Sequence, residues 1–374
     1  MFKETSYTNR LTFFQKIRSL DLILILCVLL LGIISTFAMY SSEGGQMYYY
    51  TRSHLLRFSV FFILMIFISF IRLKFFHSVS YFLYFIVLLL LLYASFYGIT
   101  VSGSQRWINL YFINLQPSEL MKVAIILCFA KFYHRMQIDN VNRFRNLIVP
   151  IIILIMPMFL VISQPDLGTT ILIALSGIIV IWLSGVNIKY FISSFIVLVI
   201  STPFFISFLQ PYQKLRILTF FDPEKDPLGA GYQIIQSKIA VGSGGFSGKG
   251  FLKGTQSYLE FLPEKHTDFI FTLFSEEFGF VGSILLLLIY SILIYRIIHI
   301  GSISRNFFSK LFCYGYGSAI FVYIAVNMSM VLGLLPIVGS PLPIMSYGGS
   351  SMLATLVGLG VVLSSKIYHK QIIS

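Results

Sequence analysis

Charge is scarce in this 374-residue chain. Asp, Glu, Lys and Arg together make up 11% of it, against roughly a quarter in ordinary soluble domains. Acids are the scarcer sign, 14 against 27 basic residues. A surface so poor in charge excludes a water-soluble globule, and the 57% hydrophobic content and mean hydropathy of +0.86 point to a polytopic membrane protein. Cysteine is nearly missing too. Cys27, Cys128 and Cys313 each sit inside an apolar stretch and read as buried thiols, which excludes a disulfide-built secreted domain and a cysteine metal site. Internal repeats, low-complexity tracts and separate soluble domains are lacking as well.

What is present is a series of apolar runs. A membrane-spanning helix needs about 20 such residues. Charge-free runs cover 22–42, 75–105, 146–165, 167–188 and 190–213, and 278–295 qualifies with its extension into HTDFIFTLFSEE. The stretch Leu311–Ser365 has no Asp, Glu, Lys or Arg and is far too long for one crossing, so Pro336-IVGS-Pro341-L-Pro343 is expected to turn between two helices. Two weaker spans, Leu55–Arg72 and Pro117–Arg135, complete an expected total of ten. Residues 1–19 are polar and basic and no small-residue cleavage site follows, so no cleaved signal is expected. With a cytoplasmic N-terminus, sixteen basic residues fall on inner segments and three (Arg52, Arg57, Arg106) on short outer loops. The positive-inside rule then places both termini in the cytoplasm and makes the net charge of +13 a topology signal, not a sign of nucleic-acid binding. The expected architecture is all-α: a cytoplasmic segment 1–19 and one ten-helix membrane domain over 20–370. One long outer loop, 210–266, carries a short amphipathic helix near Gln233–Ala240.

Ionisable side chains near a bilayer are costly and mark candidate sites. Glu119 and Lys122 share a helix face, either as a structural ion pair or with Lys122 facing an anionic ligand. Asp268 follows Pro263, the expected start of a helix, and precedes the apolar FIFTLF. It reads either as a helix cap or as a partly desolvated general base with a raised pKa. Glu276 and Glu277, some 12 Å deeper along that helix, read as polar packing towards the bundle interior. GSGGFSGKG (242–250) departs from a Walker loop at Ser243 and Gly250, leaving a flexible loop or an amide-and-Lys249 cradle for a lipid-linked diphosphate. SYGGSS (346–351), with Ser350, is either close helix packing or the lining of a polar cavity. Trp107 is either an interfacial aromatic or part of the site.

GSQRWINL, QPSELMK, SQPDLGTT, the run from GYQIIQSKIAVGSGG through FLPEKHTDFIFTLFSEEFGFVG, and NMSMVLGLLPIVGSPLPIMSYGGSS follow one another across the whole membrane core. Together they resemble the SEDS family of shape, elongation, division and sporulation proteins, and FLPEKHTDFIF and VGSPLP resemble its elongation branch. The resemblance implies a ten-helix peptidoglycan glycosyltransferase of the bacterial inner membrane. It would polymerise lipid II on the outer face with a class B penicillin-binding protein and other elongation-complex proteins. It also implies Asp268 as the catalytic acid residue, with Arg106, Trp107, Glu119, Lys122, Asp166, Lys238 and Lys249 in matching motifs. Arg216, His266 and Ser350 complete the candidate substrate-binding set, and Lys265 is a further cation of the outer face. Diphosphate is a good leaving group, so one base and several cations suffice; no cofactor is expected. A lipid II flippase and a non-catalytic scaffold of the cell-wall complex are the alternatives.

Overall fold

The computed structural model describes residues 12–101, 104–109, 114–136, 138–208, 211–226, 229–255 and 264–373. Its helices run α1 Phe13–Arg18, α2 Leu22–Ser42, α3 Tyr49–Ser69, α4 Leu73–Tyr97, α5 Pro117–His134, α6 Ile138–Val141 and α7 Phe144–Ser163. They continue with α8 Leu167–Leu183, α9 Ile188–Phe208, α10 Pro211–Phe221, α11 Ala230–Gly244, α12 Ile270–Ile303, α13 Phe307–Val331 and α14 Gly349–Ile367. Among the described residues, seven helices are long and apolar enough to cross a membrane: α2, α3, α4, α7, α12, α13 and α14. Helix α8 and the apolar part of α9 are shorter, and α5 carries Glu119, Lys122 and Lys131.

Two features depart from an all-helical reading. The run 75–105 does not stay helical to its end. Helix α4 stops at Tyr97, and Ile99–Val101 (β1), Ser104–Asn109 (β2) and Asn114–Leu115 (β3) form a small antiparallel sheet in the order β1-β2-β3. Gly98 precedes the β-branched Ile99, Thr100 and Val101, which suit extended backbone. Second, α12 begins at Ile270, so Asp268 lies in the turn before the helix rather than in its first turns; Pro263 lies outside the described residues. The expected turn around Pro336–Pro343 is present, between α13 and α14.

The helices are apolar on both faces. In α2, Leu24, Val28 and Leu31 are buried while Leu22, Leu26 and Phe37 are exposed, as befits a helix between protein and lipid. Helix α5 is enclosed along most of its length, from Pro117 to Tyr133. Helix α9 is the opposite: Phe195, Val197, Leu198 and Ile200 are all exposed. Lipid tails give helices no hydrophobic reason to associate, so close approach depends on small residues and polar ties. Side chains added at Gly358 and Gly315 would run into Tyr316 and Val180. Polar ties fasten α2 to α12 at both ends. Asp21 pairs with Arg296 at one end, with Nε to Oδ1 at 3.1 Å, and Ser41 donates to Glu277 at the other.

Helix α12 is broken at Gly279, whose φ of 64° lies in the left-handed region. The break removes the helical bonds from Phe280 and Val281 N–H back to Glu276 and Glu277. The segment after α11 replaces them. Lys249 and Gly250 N–H donate to the Glu276 and Glu277 carbonyls at 3.0 Å each. Phe280 and Val281 N–H donate to the Gly245 and Phe246 carbonyls at 3.0 and 3.1 Å. Gly248, at φ 82°, faces this break so closely that a Cβ there would strike the Glu277 carbonyl.

Candidate functional site

Asp268 stands between the turn that leads into α12 and the irregular segment joining α13 to α14. It is partly exposed. A Cβ added at Gly339 would sit 3.4 Å from its Oδ2, so that segment presses against the carboxyl. Helix α12 takes Phe269 as its N-cap with no side-chain cap bond, which removes the cap reading of Asp268. No hydrogen bond to its carboxylate comes from a described residue. Burial pushes its pKa up to about 7, and Glu264 and Asp166 push the same way against Arg106 and Arg216. The proton on this carboxyl is therefore exchangeable near neutrality.

Arg106, on β2, pairs with Asp166 at 2.8 Å. Asp166 caps α8, accepting from Thr169 N–H at 3.1 Å and from the Thr169 hydroxyl at 2.8 Å, and it also accepts from Gln116 Nε2 at 3.2 Å. With four donors converging on it, Asp166 is a fastening that holds Arg106 beside the site. Trp107, next along β2, keeps a buried indole N–H with no hydrogen-bond partner among the described residues. Arg216, on α10, donates to the Ile337 carbonyl at 3.1 Å, which ties α10 to the segment facing Asp268. Lys238, on α11, lays its stem across Gly333 at the end of α13.

Glu119 and Lys122 form a buried ion pair at 2.7 Å, and the ammonium also lies 4.0 Å from the centre of the Tyr323 ring. Pro341, Pro343, Ser351 and Thr355 complete the wall of a small cavity there. Its volume of about 40 Å³, measured to water centres, admits two or three waters. Lys122 is paired, and it also faces space a polar group can enter.

His266 lies two residues before Asp268 in the same turn. Its Nδ1 lies 2.8 Å from the Ser42 hydroxyl, its ring stacks on Tyr50 at 4.1 Å, and its carbonyl accepts from Tyr347 N–H at 2.8 Å.

Two further candidates have their polar groups engaged within the protein. The amides of Lys249 and Gly250 are spent on α12, and the Lys249 ammonium pairs with Glu276 at 2.6 Å and meets Thr255 at 2.8 Å. The segment 244–250 is thus a splint for the helix break, and the Lys249 and Gly250 amides are engaged within the protein. Ser350 is 1% exposed; it donates to the Asn114 carbonyl at 2.9 Å and accepts from Gln116 N–H at 2.8 Å, tying α14 to the start of α5. Its hydroxyl is used within the protein. Glu276 and Glu277 are buried, as expected of polar packing.

The sequence reading passed over Asn327. On α13, its side-chain amide donates to the carbonyls of Asp268 at 2.9 Å and Ser340 at 2.7 Å. The signal available was a carboxamide inside an otherwise apolar helix.

Known proteins resemble the chain over most of its length. A family profile described as "Cell cycle protein", FtsW/RodA/SpoVE, matches residues 16–371. The chain is 39% identical over 369 residues to the peptidoglycan glycosyltransferase MrdB of Escherichia coli (strain K12), covering 98% of this chain and 99% of that one. It is 38% identical over 281 residues to the stage V sporulation protein E of Bacillus subtilis (strain 168), covering 73% and 74%. Two solved structures share the fold. One, from work titled "Structural coordination of polymerization and crosslinking by a peptidoglycan synthase complex", has a TM-score of 0.81 at 28% identity, covering 94% of this chain and 99% of that one. The other is the rod shape determining protein RodA of Thermus thermophilus, with a TM-score of 0.70 at 25% identity and coverage of 94% and 98%. With a match over almost its full length, the chain belongs to the FtsW/RodA/SpoVE family of membrane proteins.

Proposed function

We propose that this chain is a peptidoglycan glycosyltransferase that polymerises lipid II into glycan strands during cell elongation, with Asp268 as general base. The full-length likeness to a glycosyltransferase supports the activity. The observation that carries the mechanism is the Asp268 carboxyl: partly open, unbonded among the described residues and titrating near neutrality. Such a group takes the proton from the acceptor sugar's 4-hydroxyl as that oxygen attacks the donor's anomeric carbon. The bond from that carbon to the diphosphate breaks, and the polyprenyl diphosphate leaves with the electron pair. Arg106 and Arg216, both within electrostatic reach of Asp268, offset the negative charge that builds up beside it. Trp107 offers its buried N–H to a sugar or peptide oxygen. Lys122 lines the adjoining cavity.

The topology belongs to the same reading. Helices α5, α8 and α9 join the seven longer spans to make ten passes, both termini lie in the cytoplasm, and Asp268 faces outward. The partner is a class B penicillin-binding protein, a reading supported by the likeness to a synthase complex that couples polymerisation to crosslinking. Holding the 210–266 segment in a competent arrangement is its role. A flippase would need polar groups spread through the membrane depth. Here the buried acids collect at helix ends: Glu119 and Asp166 near the starts of α5 and α8, Glu276 and Glu277 in the outer part of α12, and Asp21 at the start of α2.

The test is glycan polymer from purified lipid II by the protein with its partner. Asp268→Asn should leave folding and membrane level unchanged and lower the rate by at least about 100-fold, the scale of lost general-base catalysis. Near-normal polymer from that variant removes Asp268 from the base role.

A further inference from the structure

Asp268 is aimed through its backbone, since no described residue bonds its carboxylate. The turn 264–269 that carries it and the segment 332–348 that faces it are both irregular, with no helix or strand ladder to set their spacing. One side chain spans the two. Asn327, fully buried near the end of α13, gives one N–H of its amide to the Asp268 carbonyl and the other to the Ser340 carbonyl. Its orientation follows from chemistry: two carbonyl oxygens face it, and only the NH₂ edge satisfies both. Beside Ser340 stands Gly339, at φ 68°, the residue that abuts the Asp268 carboxyl. The Tyr347 N–H bond to the His266 carbonyl joins the same turn and segment further along, and the Asn327 amide is the tie that reaches the Asp268 carbonyl itself, beside the wall that faces its carboxylate.

We propose that Asn327 is a positioning residue for glycosyl transfer, tying the Asp268 turn to the segment 336–343 so that the carboxylate points at the acceptor hydroxyl. The inference rests on the reading of Asp268 as the base. A base must come within about 2.6–3.2 Å of the proton it removes, and a displacement near 1 Å costs about 100-fold in rate. Asn327 carries no charge and touches the Asp268 backbone, not its carboxyl. The charged groups facing that carboxyl are Glu264 on its own turn, Arg106 on β2, Asp166 at the head of α8 and Arg216 on α10. Releasing the tie changes the pH profile only by moving the carboxylate relative to these four.

The experiment uses the full-length protein with its class B penicillin-binding partner and lipid II as substrate. Asn327→Ser and Asn327→Leu are each measured alone and on the Asp268→Asn background. The expected result is a kcat 10- to 100-fold lower, a KM for lipid II within about twofold of wild type, and a displaced acidic limb of kcat/KM. On the Asp268→Asn background the same changes should cost nothing further, because the group they aim is already disabled. A normal kcat, an unmoved limb, or an equal loss on both backgrounds overturns the positioning role. Failure of both variants to yield folded protein overturns it in favour of a purely structural one. Full activity of Asp268→Asn alone would instead sink the base reading, and that result is visible before Asn327 is changed.

Discussion

The pH dependence of polymerisation offers a direct check on the site. With the Asp268 pKa at about 7, about a tenth of the protein carries the ionised base at pH 6, about half at pH 7 and about nine-tenths at pH 8. If ionised Asp268 is required, kcat/KM should rise about tenfold from pH 6 to pH 8 and then level off. A carboxylate at its ordinary value near 4 would give a flat profile over that range. Two substitutions assign the limb to Asp268. Arg106 lowers its pKa and Asp166 raises it, so Arg106→Gln should move the limb to higher pH and Asp166→Asn to lower pH. Each shift should be roughly half a unit to one unit, because water at the open side of the site screens the charges. The same displacement bears on folding. A carboxyl whose pKa is raised in the folded state favours that state most below pH 4, and that contribution is lost as pH rises to 7. The assay is initial polymer formation from lipid II between pH 5.5 and 8.5, with enzyme integrity checked at each pH. A flat profile, or shifts of the same sign in the two variants, refutes the reasoning.

Lys122→Met strands Glu119 in the interior and should cost about 3–5 kcal/mol, whereas Glu119→Gln with Lys122→Met should be milder; thermal melting in detergent compares them. Exchanging the two (Glu119→Lys with Lys122→Glu) separates roles, since full polymerisation by that protein would leave Lys122 with a structural role alone. Lys249→Met should loosen the splint and expose residues 245–255 to protease; unchanged cleavage would show that the backbone bonds suffice without the ion pair. Polymer made without the partner should be weak and with it strong, including when the partner's transpeptidase serine is blocked. Equal yields in all three arms would count against activation through conformation.

Much of this was legible because the bilayer imposes its own length scale. The run 22–42 coincides with α2, and the chargeless stretch 311–365 divides where Pro336, Pro341 and Pro343 make it divide. Candidate acids could be picked out because an ionisable group between apolar runs is conspicuous. What stayed hidden depends on partners far apart in sequence. GSGGFSGKG reads locally as a free glycine loop, and nothing within nine residues discloses that two of its amides belong to carbonyls at Glu276 and Glu277. Ser350 reads locally as either packing or lining, and nothing nearby in sequence discloses its partners Asn114 and Gln116, at 2.9 and 2.8 Å. The end of α4 was overrun because hydropathy does not distinguish a buried helix from a β-branched strand.

The splint across α12 gives the molecule a lever. Because the segment 245–250 completes the hydrogen bonding of the helix on both sides of Gly279, the two must open together. In hydrogen-exchange terms, the amides of Lys249, Gly250, Phe280 and Val281 should form one cooperative unit with a common opening free energy, despite lying in what sequence marks as loop and helix. A protein that grips this segment therefore grips α12 itself, and through it the turn that carries Asp268. Force or binding energy applied there reaches Asp268, the base of the proposed reaction, along covalent chain and four hydrogen bonds, with no need for contact with the substrate.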